Sequence, residues 1–464
     1  MRDGRCGLGN CYHRPLEVRT RKLLKSTLRL IELEPSALLP YHRAMSLKLV
    51  SLLGLAVFVA LAWALSVDRR RFPWATVLSG VALQFVLALV VLKTRFGQRL
   101  FSAAGDAISR LIEFSQEGAR FVFGPLANFD ALKRGLSLES GMVFFVMVTA
   151  TIVFVSALSS MLYHYGVLQR VVRAFAWVMQ RVMRTSGSES LCAAANIFMG
   201  QTEAPLVIRP YLLRMTRSEL MAVMVGGMAT IAGGVLAVYS KLGEDAGFRG
   251  MAGHLLTASV LSAPAALVIA KIMVPETEVS ETASGADARI ERESHNGLDA
   301  LCRGAGDGMT LSLNVIAMLI AFIAMVALCN HLLGALLQLV HQPGGEPLQR
   351  MLGWLNAPVA WLMGVPAADC ARVGALLGER MVLNEFVAYL SLVEQTKSLD
   401  PRSVTLATYA LCGFANFASI AIQIGGIGAL VPSRRKDLAQ LGLRAMAGGL
   451  IACYMTACIA GMLL

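Results

Sequence analysis

Apolar residues in this chain come in runs far longer than a soluble core requires. Stretches 49–67, 72–92, 142–162, 220–240, 404–431 and 445–464 carry no charged residue. A slightly shorter run, 254–270, continues past Lys271, and 309–340 is interrupted only by Asn, His and Gln. A helix needs about 18 or more such residues to cross the hydrocarbon core, so the pattern predicts about eight transmembrane spans. Two further segments alternate differently. In 101–123, Phe101, Ile108, Leu111, Ile112, Phe114 and Phe121 are interleaved with Asp106, Arg110, Glu113 and Glu117. That pattern, and the basic segment 167–183, predict amphipathic helices lying at the interface. The fold class is an all-α polytopic membrane protein.

Two polar motifs sit inside this apolar background: Asn196-Ile-Phe-Met-Gly-Gln-Thr-Glu-Ala-Pro205 and Leu383-Asn-Glu-Phe-Val-Ala-Tyr389. Each carries one carboxylate, Glu203 or Glu385. A charge at the bilayer centre costs roughly 2.5–3.5 kcal/mol even on the lenient insertion scale, so such residues point to a solute path. After each motif comes a helix rich in small residues. The first contains Gly226, Gly227, Thr230, Gly233 and Gly234; the second contains Gly413, Asn416, Ser419, Gly425 and Gly426. One more span follows each. The two blocks therefore predict inverted repeats, each a re-entrant hairpin, a broken helix and a span, the arrangement that marks a transporter's midplane site. Backbone can leave the helix at that depth only where it faces protein or a water-filled cavity. For the paired glycines, close helix packing and a role in the site both remain open.

Composition and charge narrow the picture. The chain is 56% hydrophobic and 16% charged, with mean hydropathy +0.61. Its formal charge of +12 would suit a nucleic-acid binder, but the positions exclude that. Asp68-Arg-Arg-Arg71 joins the first two spans, Arg170, Arg173, Arg181 and Arg184 follow the third, and Arg434-Arg-Lys436 precedes the last. Short loops rich in Lys and Arg mark the cytoplasmic face. On this topology the C-terminus lies outside, the first hairpin opens inward and the second outward. Lys93, Arg95 and Arg99 fit this less well. The nine cysteines show no CxxC pair or metal-ligand spacing. Nor is there an HExxH, a G-x-S-x-G or a Ser–His pairing to support the alternative of a membrane-embedded enzyme using Glu203 and Glu385 as acid and base.

Segment boundaries follow. Residues 1–44 are a basic extension lacking a signal-peptide core, and Met45 is expected to be the native start and to begin the first helix. Residues 45–184 form N-terminal scaffold and interfacial helices; 185–275 are the first repeat; 276–352 hold an interfacial loop and the sixth span; 353–464 are the second repeat.

The motifs, in this order, resemble the concentrative nucleoside transporter family over roughly residues 45–464. The match is dense at NIFMGQTEAPLVIRPY (196–211), MATIAG (228–233), HLLTASVLSAPAALVIAK (254–271), 383–389 and ALCGFANFASIAIQIGGIGAL (410–430). The resemblance implies a multi-pass inner-membrane symporter without cofactor or catalytic residues, a homotrimer in the bilayer that binds no nucleic acid. It further implies that Gln201, Thr202 and Glu203 meet the nucleobase, with Val235 as an apolar contact. Glu385, Asn416 and Ser419 would meet the ribose, with Phe414 nearby. The coupling cation would be held by the side chains of Asn196 and Thr230 and the carbonyls of Met199 and Ile231. The intact Gly-Gln-Thr-Glu-Ala-Pro sequence favours Na+, with H+ as the alternative. Bland readings stand beside these. Gln201 and Thr202 could cap the hairpin, and Thr230 could bond back one turn. Phe417 is assigned to the core. Glu189 and Arg380 are read as structural, and Asn314 and His331 as packing or vestibule groups.

Overall fold

The apolar runs become helices whose ends are set by local polar signals. A computed structural model describes residues 35–127, 143–248, 250–283, 285, 294–338 and 347–464. Lys48–Leu464 form one compact unit; of the preceding unit, Met1–Leu47, only the helical stretch from Pro35 is described. The first helices are α1 (Pro35–Ala64), α2 (Trp74–Lys93), α3 (Arg95–Phe123), α4 (Phe144–His164) and α5 (Val167–Met183). Helix α1 thus begins N-terminal to Met45, unlike the expectation, and most of the basic extension lies outside the described residues. The two amphipathic predictions correspond to α3 and α5.

The first repeat consists of α6 (Gly187–Ala195), the 3-10 turn Ala204–Ile208, α7 (Arg217–Ala229), α8 (Gly233–Asp245) and α9 (Met251–Met273). Helix α10 (Gly297–Gln338) leads to the second: α11 (Pro347–Leu362), α12 (Cys370–Val382), α13 (Glu385–Gln395), α14 (Pro401–Leu411), α15 (Phe417–Leu430) and α16 (Arg435–Leu463). Hairpin 1 is α6 with the returning chain; hairpin 2 is α12 with α13. The pairs α7–α8 and α14–α15 are the broken helices. Among the described residues, seven helical stretches are long and apolar enough to cross a bilayer, Arg217–Asp245 counting as one. The remaining predicted span, 404–431, is built from α14 and α15, each too short to cross alone.

Burial separates the spans. Arg217–Asp245 and Met251–Met273 are 94% buried by the rest of the protein, whereas Leu47–Ala64 and Trp74–Lys93 are 28% buried. The broken helix therefore lies where its freed backbone can be bonded by protein. Lipid tails are as apolar as leucine, so the central helices must associate by close contact rather than by escape from water. At Gly449 of α16 a Cβ would lie 2.7 Å from Met228 Cβ on α7, an approach only glycine permits.

The foot of hairpin 1 is tied by charge. Ser186 and Glu189 form a capping box on α6, and Thr216 and Glu219 form another on α7. Lys271, near the end of α9, reaches Glu189 at 2.8 Å and Glu276 at 3.1 Å. From the following loop, Ser280 Oγ donates to Glu219 at 2.5 Å. At the foot of hairpin 2, Asp369 accepts from Ser403 Oγ (2.7 Å), the Asp400 N–H (2.9 Å) and Arg372 (2.5 Å).

Candidate functional site

Helix α6 stops at Ala195, and the chain turns irregularly through 196–203 before Pro205 starts the 3-10 return. The freed carbonyls of this tip are taken up by neighbours. Ile197 O accepts from Ser259 Oγ on α9 at 3.0 Å, and Phe198 O accepts from the Gly233 N–H at 3.2 Å. The second contact joins the tip to the break in α7–α8, and a Cβ on Gly200 would sit 3.5 Å from Ala232 Cβ.

Asn196 and Thr230 meet this junction from either side, each about 1% exposed. The Asn196 amide nitrogen faces Cys192 Sγ at 3.8 Å, and its Oδ1 is buried without a hydrogen-bond partner. Thr230 Oγ1 donates to Gly226 O at 2.9 Å, one turn back, which spends its proton and leaves its lone pairs free. The back-bond anticipated as a bland alternative is thus present and compatible with a ligand role. The carbonyls of Met199 and Ile231 belong to the two irregular segments that meet here. A hard cation prefers oxygen ligands of this kind, and no cluster of three or more His, Cys, Asp or Glu suited to a metal occurs among the described residues.

Further along the tip, Gln201 is 8% exposed and is not among the residues lining the large cavity described below. Its Nε2 donates to Ser419 Oγ at 3.2 Å, and its Oε1 accepts from Gln423 Nε2 at 3.2 Å. Gln423, fully buried in α15, was not among the predicted site residues. Its only sequence signal is spacing, four residues after Ser419 on the same helix face.

Glu385 begins α13, where a helix N-terminus favours negative charge. Its carboxylate accepts from Tyr239 OH (3.2 Å) and Asn416 Nδ2 (2.9 Å). Asn416 is oriented by a bond of fixed polarity. Its Oδ1 accepts the Ser419 N–H at 2.8 Å, capping α15, so its amide nitrogen must face Glu385. Tyr239 was also missed; it stacks on Tyr389 with centroids 4.2 Å apart. Arg380 is fully buried, donating to Ala410 O and to Cys453 Sγ at 3.2 Å, which ties hairpin 2 to α14 and α16. That is the structural role expected of it.

A cavity of about 1280 Å³ opens between hairpin 1, α4, the start of α8 and α10. Thr202, Glu203 and Met199 line it, together with Asp307 and Asn314 of α10. Glu203 Oε2 accepts the Gly200 N–H at 3.1 Å, and its side chain is reached from the cavity. Asn314 is thus a vestibule group, and His331 is exposed. The structure brings Gln201, Ser419, Asn416 and Glu385 into one connected set. Glu203 and Thr202 face the cavity, Val235 is buried in the first turn of α8, and Phe414 lies half-buried in the second break. Phe417 is a correction: at 50% exposed it is not core. The open glycine question resolves toward the hairpin tip. A Cβ on Gly226 would meet Asn196 Nδ2 at 3.1 Å, one on Gly426 would meet Thr202 Cγ2 at 2.7 Å, and Gly425 faces open space.

Comparison with known proteins decides the family. Residues 53–126 and 254–461 match the N- and C-terminal regions described as Na+ dependent nucleoside transporter, and 145–245 match a region described as nucleoside recognition. An uncharacterized transporter of Haemophilus influenzae is 42% identical over 89% of this chain and 97% of its own length. The chain belongs to the concentrative nucleoside transporter family. Rat sodium/nucleoside cotransporter 1 is 40% identical, aligning with 90% of this chain and 64% of its own length. The structure of CNTnw in an inward-facing substrate-bound state matches with TM-score 0.83 at 39% identity, over 90% of this chain and 98% of the other. An outward-facing form of CNTnw matches at 0.84 and 38%. Like the family, the protein is a multi-pass membrane transporter and not an enzyme.

Proposed function

We propose that this protein imports nucleosides by Na+ symport and alternating access, with the cation corner at Asn196 and Thr230 coupled to the solute pocket. The observation that carries this reading is the state of the two side chains. Asn196 Oδ1 is buried with no hydrogen-bond partner, and the Thr230 hydroxyl already donates its hydrogen bond to Gly226 O. A buried acceptor left unpaired costs about 1–3 kcal/mol, so a cation that shares it stabilises the ordered tip. Asn196 opens the tip and Gln201 lies within it. Cation binding therefore favours the state in which Gln201 is positioned for the base, and a cation drives uptake only through such differential affinity.

On the ribose side, Glu385 accepts from the sugar hydroxyls, with Asn416 and Ser419 beside it and Phe414 nearby, while Tyr239 and the Asn416 amide hold its carboxylate. Gln201, Thr202 and Glu203 read the base, with Val235 as its apolar contact. The first and second repeats form the moving part, and 45–184 with 276–352 form the scaffold of a homotrimer, which native mass spectrometry of the detergent-solubilised protein checks. The deciding experiment is radiolabelled uridine uptake into proteoliposomes under an inward Na+ or an inward H+ gradient. Accumulation above the outside concentration with Na+ alone supports the symport and its cation corner. Accumulation with H+ alone keeps the transporter and discards that corner.

A further inference from the structure

We infer that Gln423 sets the polarity of the amide that reads the nucleobase, and is thereby a specificity-determining residue of this transporter. The inference rests on the reading of Gln201 as a base contact.

One group beside Gln423 has a polarity that cannot change. The backbone carbonyl of Met224, on α7, lies 3.0 Å from the Gln423 side chain and can only accept. The amide nitrogen of Gln423 therefore faces it. The second N–H of the same nitrogen reaches Gln201 at 3.2 Å, so the Gln201 group there is the carbonyl oxygen. The Gln201 amide nitrogen is then turned toward Ser419 Oγ at 3.2 Å. Two side chains, Gln423 and Gln201, thus carry the direction of one carbonyl to the tip of hairpin 1. An amide rotated by half a turn exchanges donor for acceptor at nearly unchanged shape, which is why orientation must be fixed by partners.

The packing supports the assignment. Gln423 is fully buried. A Cβ on Gly227 would lie 2.7 Å from Gln423 Nε2 and 2.9 Å from Gln201 Cβ, so this glycine makes room for both amides at once. Gln423 Oε1 has no hydrogen-bond partner. A polar side chain held in a buried position with half its capacity unspent is costly in an apolar helix. A leucine there would be the ordinary choice for α15, where nearly every neighbour is apolar.

The consequence is selectivity. Uracil and cytosine have the same outline but exchange carbonyl for amine at one ring position and N–H for nitrogen at the next. A reading amide of fixed direction separates them; one free to turn does not. Two substitutions test this. Gln423→Met keeps the length and removes both donors, leaving Gln201 free to rotate. Gln423→Glu keeps the shape; kept protonated by its apolar, buried setting, its hydroxyl still donates to Met224 O while the same oxygen accepts from Gln201, which turns the Gln201 amide around. Competition between unlabelled uridine and cytidine for labelled uridine uptake in proteoliposomes gives the affinity ratio. One hydrogen bond is worth about 1 kcal/mol, so the ratio shifts about fivefold in Gln423→Glu, with Gln423→Met between it and the unmodified protein. The Na+ concentration for half-maximal uptake stays unchanged. Equal loss for both nucleosides at a constant ratio, in either substitution, would overturn the inference and leave the nucleoside reading intact. Absence of nucleoside uptake by the unmodified protein would remove both.

Discussion

Hairpin 1 turns through eight residues of irregular backbone, 196–203, whereas hairpin 2 turns at Leu383 and Asn384 and is helical again at Glu385. The first tip borrows partners from α8 and α9 and leaves the Asn196 carbonyl oxygen unspent. The second caps itself: Asn384 accepts the Val387 N–H at 2.9 Å, and Asn416 and Tyr239 hold the Glu385 carboxylate. One carboxylate, Glu203, is reached from a large cavity; the other is 6% exposed. A tip whose order depends on partners responds to what binds it, and a tip already satisfied offers a fixed surface. On the proposed function, one repeated plan would supply both a responsive side and a reference side of the solute pocket.

The largest contrast lies at the feet of the hairpins. Lys271→Met leaves Glu189, 1% exposed, without its counter-charge, which should cost about 3–5 kcal/mol of stability. A thermal-unfolding series in detergent measures it, and adding Glu189→Gln should recover most of the loss. If Lys271→Met alone is as stable as the unmodified protein, the foot of hairpin 1 is not held by this pair.

The two carboxylates come next. Glu385→Gln weakens the network with Tyr239 and Asn416 and should cost roughly 1.5–3 kcal/mol of nucleoside affinity. Glu203→Gln should cost about 1 kcal/mol, because water from the cavity replaces what is lost. Equilibrium binding of labelled uridine to purified protein ranks them, and the reverse ranking removes the distinction between responsive and fixed sides.

Asn196→Ala should raise the Na+ concentration for half-maximal uridine uptake roughly tenfold, about 1.4 kcal/mol, with nucleoside affinity recovering at saturating Na+. An unchanged Na+ dependence would detach the first tip from the cation.

The smallest effect is on pH. Burial pushes the Asp369 carboxyl up, but bonds from Ser403 and the Asp400 N–H, with the nearby Arg372, outweigh it and hold the group below its ordinary range. A lowered carboxyl stabilises above its unfolded value, and that contribution disappears as acidity takes it through the folded one. Acid should therefore loosen the foot of hairpin 2, seen as faster amide exchange in 370–382. Asp369→Asn should be loosened at neutral pH and lose that acid sensitivity.

Much of this architecture is legible in the residues themselves. Helix α5 follows the basic amphipathic stretch 167–183, and both breaks fall where small residues gather around Thr230 and Asn416, because glycine and capping residues act locally. What escaped depends on distance or on solvent. Gln201 and Gln423 meet across more than 200 positions, and nothing in an isolated apolar helix separates Gln423 from ordinary polar packing. Tyr239 looks like any aromatic in a span until α13 brings Glu385 beside it. Phe417 was misassigned because lipid and protein core select the same side chains. A hydrophobic pattern reports which segments leave water; it does not report what they leave it for.

The ion pair at the foot of hairpin 1 can close only after α9 has been synthesised. Glu189 is translated 82 positions before Lys271, and Ser280 follows later still. At about 5–20 residues per second of synthesis, the ribosome leaves Glu189 without its lysine for roughly 4–16 seconds. During that interval the nascent hairpin carries an unneutralised acid that bilayer lipid rejects. Until α9 and the loop behind it arrive, that acid is accommodated by taking up a proton or by staying near the headgroups, and not by its lysine.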